Sequence, residues 1–434
     1  MPALVIYANV VAHHRILGLR VPIAGALRDP GGSARARREG LPMVVADSAT
    51  AAARPTPDHR RARILRTWAP AGVYLAVRLL GIAVLALMAA HSGSDVVREL
   101  STWDGAWLLA IAEHGYAGVP ADMLDAFGRH TPQTSLGFFP GYPGLVAAVG
   151  VLTGGNLVAA GLLVSVVAGV AAAHALTRLG ELVPGGSRRA GLLLTALFAA
   201  APMGVVLSMT YTEALFCALA GWALVAVLRE QWLLAGACAA GAGLVRPTAS
   251  SVVAAVGLAA LAAVVARRGG WRPWAGGLLA ATGILGYLGY VAARTGAIDG
   301  WFAIQREGWG WYLDGGGATA RFTGAVLTAG ERAFDLLVVL ALVGSLVLLG
   351  ISVAMRIPWP LLVYGALVLV TVWGTEGLMN AKLRLLLPAF VLLLPVALGL
   401  ARRRTGTAVA VVAAAACASA WFGGNALTIW PYGI

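Results

Sequence analysis

Apolar positions run through this chain in long blocks rather than in the short alternating patches of a soluble domain. The blocks fall near 69–90, 157–177, 190–208, 212–228, 232–246, 250–266, 275–293, 334–354, 358–375, 383–401 and 406–422. A helix crosses the hydrocarbon of a bilayer with about 20 apolar residues. The pattern therefore predicts an all-α, polytopic membrane protein of about 11 transmembrane helices. One further apolar stretch, FFPGYPGLVAAVGVLT at 138–153, is expected to lie along or re-enter the outer face, because counting it as a full span would invert everything downstream.

With that stretch not crossing, the polar residues between the blocks separate by sign. The turns on one side carry Arg178, Arg188 and Arg189, then Arg229, then Arg267, Arg268 and Arg272, then Arg356, and lastly Arg402 to Arg404. Such basic turns mark the cytoplasmic side. On the other side lie 13 of the 19 acidic residues: six from Asp95 to Asp125, five from Asp299 to Asp335, plus Glu213 and Glu376. Polar chemistry is thus expected in extracytoplasmic loops at about 91–156 and 295–333, within a membrane domain spanning 67–434.

Composition adds bounds. The chain is 59% hydrophobic and only 12% charged, with a formal net charge of +13. That charge does not call for nucleic acid, because 11 of the 32 basic residues sit in the first 66 positions. The segment 1–66 is rich in Ala, Pro, Gly and Arg and is expected to be a disordered cytoplasmic tail beside anionic headgroups of the lipid bilayer. Its opening, MPALVIYANVVAHH, has neither a basic n-region nor an A-x-A site, so it is not read as a signal peptide, and Met43 is an alternative start. Cys217, Cys238 and Cys417 lie inside apolar blocks without CxxC spacing, which indicates neither a disulfide framework nor a metal site. No internal repeat is evident, and this weighs against a transporter built from repeated halves.

The stretch TWDGAWLLAIAEHGY at 102–116 stands out among the apolar blocks. Trp107, Leu108, Ile111 and Ala112 follow helical spacing, which predicts a short amphipathic helix on the bilayer surface with Asp104 at or just before its first turn. Two readings of Asp104 compete: a helix N-cap, or a general base that takes a proton from an incoming hydroxyl at the membrane boundary.

This stretch (WDGAW, IA and GY between 103 and 116) is followed by FFPGYP at 138–143, SMTYTEALF at 208–216, WLLAGACAAGAGLVRPT at 232–248 and NAKLRLLLPAF at 380–390. Together these pieces resemble the PIG-V-like mannosyltransferases, a family within the integral-membrane GT-C glycosyltransferases, over most of residues 100 to 390. Leu108 departs from the aromatic that family members often carry. The resemblance implies a GT-C-like fold and a transferase working on the outer face of the cell membrane. The donor would be polyprenyl-phosphate-mannose, a substrate rather than a cofactor, used with inversion. Its acceptor would be a glycan, glycolipid or protein of the cell envelope. It also puts Asp104 in the family's catalytic-aspartate position. Another lipid-linked sugar, arabinofuranose or glucose, would suit the same fold, and a lipid or sugar transporter is the rival of a different class.

The residues themselves agree with a lipid-phosphate donor. No D-x-D occurs, and the sole lysine, Lys382, follows no glycine-rich loop. Arg246, Lys382 and Arg384 are the expected phosphate partners, although Arg246 could equally be a topological arginine and Lys382 a chance occurrence. Glu213 and Tyr211 in SMTYTEAL are expected to face a wet cavity, with a helix-start carboxylate as the plain alternative for Glu213. Trp103, Trp107, His114 and Tyr116 complete the outer motif, His114 reading either as an acid/base group or as an interfacial histidine without function. Arg78, midway along the first block, must face the interior. In GWFAIQREGWGWY at 300–312, Gln305 and Arg306 stand among tryptophans that either anchor the loop at the interface or stack on a sugar.

Overall fold

A computed structural model describes residues 57–329, 332–430 and 433, with side-chain surroundings given from Leu65 onward. The tail expected over 1–66 therefore lies largely outside the described residues, and helix begins at Pro57. In chain order the helices are α1 (Pro57–Ser92), α2 (Val96–Glu99), α3 (Asp104–His114), α4 (Gly141–Gly150), α5 (Leu157–Leu182) and α6 (Arg188–Ala199). Then come α7 (Glu213–Leu228), α8 (Trp232–Gly243), α9 (Ala249–Val265), α10 (Arg272–Thr295), α11 (Gly300–Trp309) and α12 (Gly317–Ala329). The chain closes with α13 (Ala333–Ala354), α14 (Trp359–Gly374), α15 (Lys382–Leu385), α16 (Leu394–Ala401) and α17 (Thr405–Thr428). Among the described residues the only β-pairing is an isolated bridge between Leu313 and Thr375.

The protein is an all-α, multi-pass membrane protein. Among the described residues, five helices are individually long and apolar enough to cross a bilayer: α1 from Leu65, α5, α10, α13 and α17. The other expected spans are shorter or broken. The block at 190–208 resolves into α6 and a 3-10 turn, Gly204–Ser208, separated by Pro202. The block at 383–401 becomes α15, a 3-10 stretch Leu387–Leu393 containing Pro388, and α16 with Pro395 in its first turn. Proline removes a backbone donor and clashes with the preceding turn, which favours a break at these positions, although α1 passes over Pro70 as one helix. Hydropathy counts apolar length and misses these breaks. The stretch 138–153 contains α4, whose 10 residues reach only about 15 Å, half the thickness of the hydrocarbon.

Tight helix pairs are made by small residues. A side chain at Gly283 of α10 would come within 1.9 Å of the Ala240 carbonyl of α8, and one at Gly276 within 2.3 Å of that of Trp232. Two backbones approach that closely only where glycine leaves room, the usual basis of helix packing in lipid.

The basic turns gather at one end of the bundle. Glu181 pairs with Arg178 of its own helix at 2.8 Å and with Arg188 across the α5–α6 turn at 3.1 Å. Arg189 of that turn donates to the Arg403 carbonyl in the α16–α17 turn at 2.8 Å. Arg268, before α10, reaches Glu230, after α7, at 3.4 Å. From Arg229 at this end, α7 runs back 16 residues, about 24 Å, to Glu213 at the other.

Candidate active site

At that other end, breaks in several helices converge. The α8–α9 junction places Arg246 just before Pro247, the α14–α16 connection carries Arg384 on the short α15, and α7 starts at Glu213. Irregular backbone at membrane depth survives where it lines a cavity, and here it does. A cleft enclosing about 200 Å³ is bordered by Asp104, Tyr211, Thr212, Arg246, Gln305 and Arg384 on its polar side, with Phe138, Phe139, Trp301, Trp309 and Trp311 among its aromatic walls.

Asp104 is the first residue of α3, not its cap. Trp103 holds the cap position at φ 55° and ψ −125° and makes no side-chain capping bond. A positive φ is uncommon for a residue with a side chain. The Asp104 carboxylate instead accepts from Arg384 Nη1 at 2.5 Å. Arg384 continues the chain of charges, its Nε lying 3.6 Å from Glu213 Oε1 and its guanidinium 5.3 Å over the ring of Tyr211. Glu213, fully buried, is also ion-paired with Arg246, which donates to Thr212 Oγ1 at 3.1 Å. The N-terminal end of α7 further favours the Glu213 charge. Residues distant in sequence thus form one alternating row: Asp104, Arg384, Glu213, Arg246.

Gln305 and Trp301 reach the site through the loop they hold. Gln305 Nε2 and Trp301 Nε1 donate to the Gly137 carbonyl at 2.9 and 3.3 Å. The same loop is pinned by Tyr287, which donates to Leu136 O at 2.8 Å, and by Tyr116, which donates to Phe138 O at 2.8 Å. Tyr116 is therefore a support behind the cleft wall. Trp107 is likewise behind it, its ring 5.5 Å from that of Phe138 and 5.4 Å from that of Trp309. Outside this wall, buried Asp125 organises the loop before it. Burial raises its carboxyl, but backbone N–H bonds from Arg129 and Phe127 and the Arg129 charge outweigh that and hold it below the usual 3.8.

Several expected residues do not line the cleft. Lys382 is buried with its ammonium donating to the carbonyls of Val372 and Thr375, at 2.6 and 2.7 Å, so it caps the end of α14 instead of facing a ligand. Burial pushes that ammonium down to about 8, against the pull of Asp314. His114 sits beside Glu113 at 3.7 Å on an exposed edge, and Arg306 pairs with Glu307 at 3.3 Å in the open. Trp103 is exposed on the rim. Arg78 does face the interior, donating to Ala199 O at 2.6 Å and Ser208 Oγ at 3.1 Å, away from the cleft. Conversely Thr212, Trp309 and Trp311 line it, and their signal was present in the SMTYTEALF motif and the aromatic loop.

No family model matches this chain, and no curated protein matches it. Among solved structures, the crystal structure of ArnT from Cupriavidus metallidurans bound to undecaprenyl phosphate is similar at 17% identity with a TM-score of 0.49, over 77% of this chain. The chain spans 63% of the length of that ArnT chain.

Proposed function

We propose that this protein is a membrane glycosyltransferase that moves a sugar, mannose by its resemblance to the PIG-V-like family, from a polyprenyl-phosphate donor to an acceptor on the extracytoplasmic side. The observation that carries the reading is the row of charges in the cleft: a carboxylate that water can reach, beside two guanidiniums set in an otherwise apolar and aromatic wall. The reaction needs those two kinds of group. Asp104 takes the proton of the acceptor hydroxyl as its oxygen bonds to the sugar's anomeric carbon from the face opposite the phosphate. The bond from that carbon to the phosphate oxygen breaks, its electron pair leaves on polyprenyl phosphate, and the configuration inverts. Arg384 neutralises the charge that grows on the leaving phosphate, with Arg246 held beside it by Glu213.

The opposed ends of α7 support the outward assignment of the cleft. The arginine-bearing turns gather at one end and the cleft at the other, and basic turns favour the cytoplasm, which directs the cleft outward. The test is to incubate membranes containing the chain with labelled polyprenyl-phosphate-mannose, and separately with labelled GDP-mannose. Label entering new glycoconjugates from the lipid donor alone is the expected result. Transfer from GDP-mannose in membranes free of polyprenyl phosphate would overturn the donor class, and parallel arabinofuranose and glucose donors identify the sugar.

A further inference from the structure

Asp104, Arg246 and Arg384 line the cleft and Glu213 is buried against the two arginines, so the four charges balance and neither guanidinium is spare for an incoming phosphate. A phosphate donor must displace one carboxylate. The Glu213–Arg246 pair is poorly placed to yield: its side chains are 1% and 9% exposed, and a Glu213 left without a partner would be an uncompensated charge in the protein interior. The Asp104 side chain is 38% exposed, so water can solvate it once it is released. We propose that Arg384 is shared between Asp104 and the donor phosphate, so that donor binding itself frees Asp104 to act as base. This rests on the polyprenyl-phosphate reading above.

The surroundings of Arg384 suit a change of partner without a large movement. Its guanidinium lies over the Tyr211 ring and its Nε faces Glu213, so both hold the side chain in place while Nη1 moves from carboxylate to phosphate. In the resting cleft Asp104 Oδ2 is engaged by Arg384 at 2.5 Å, which occupies the side of the carboxylate that faces the guanidinium. The base is therefore masked until a donor is present, which orders binding with the donor first and restrains attack by stray water.

The test measures binding, separately from turnover. Affinity for geranylgeranyl phosphate is compared with that for geranylgeraniol, using the purified full chain in detergent. Asp104→Asn and Asp104→Ala should both bind the phosphate more tightly than the native chain, on the order of tenfold, which is what one charge-assisted hydrogen bond is worth. Adding Arg384→Gln to either variant should erase the gain, because the two sites act through one contact. Equal or weaker affinity in both Asp104 variants would overturn the exchange while leaving the donor class standing. Failure of native chain and variants alike to prefer the phosphate over the alcohol would overturn the donor reading, and the exchange with it.

Discussion

Glu213 shows what a single residue does in this cleft. It is buried between two guanidiniums, and its removal strands both of them in a place where water does not compensate. Glu213→Gln is expected to lower stability by about 3–5 kcal/mol, the cost of breaking a buried pair from one side. Thermal unfolding in detergent measures it, and an unchanged midpoint would mean that the arginines are compensated elsewhere. A carboxylate in an apolar block is costly alone, so the sequence points Glu213 to a wet cavity, whereas the structure buries it fully between two guanidiniums; wet cavity and buried pair look the same in sequence. Nor does the sequence show that the partners lie 33 and 171 positions further on, since Arg246 and Arg384 are joined to Glu213 only by how the helix ends meet. Asp104 was legible as chemistry and ambiguous in role. The structure removes the capping alternative by giving the cap position to Trp103.

Among the elements, α14 explains why Lys382 misled. As the sole lysine it drew a phosphate role, yet rarity carries no direction, and the open carbonyls at the end of a helix compete for a cation as well as a ligand does. Lys382 satisfies the Val372 and Thr375 carbonyls there. Its ammonium falls to about 8 in the fold against 10.5 ordinarily, so between those values the unfolded chain binds more protons and this group's contribution to stability rises with pH. Relative to Lys382→Met, the native chain should gain about 2 kcal/mol between pH 7 and pH 10. A difference that stays flat over that range would place the ammonium in contact with water. The long helices were legible because composition and length set them. The broken ones were not, because Pro202, Pro388 and Pro395 divide runs that hydropathy sees as continuous.

At the scale of the whole molecule, charge separates the two ends: arginine-bearing turns meet at one, and the acid–guanidinium row lies at the other. Tags placed after Arg268 and after Arg404 should be cytoplasmic and one near Asp125 outside, as judged by labelling with a reagent that cannot cross the membrane. A cytoplasmic tag at Asp125 would turn the cleft to the wrong face. The central claim is that this assembly is a transferase whose base is Asp104. The most direct measurement is turnover of purified Asp104→Asn at saturating polyprenyl-phosphate donor, alongside its thermal stability. Asparagine preserves size and helix start but cannot take the proton, so turnover should fall by about 10²–10⁴ with stability nearly unchanged. Near-normal turnover by a well-folded Asp104→Asn protein would contradict the account.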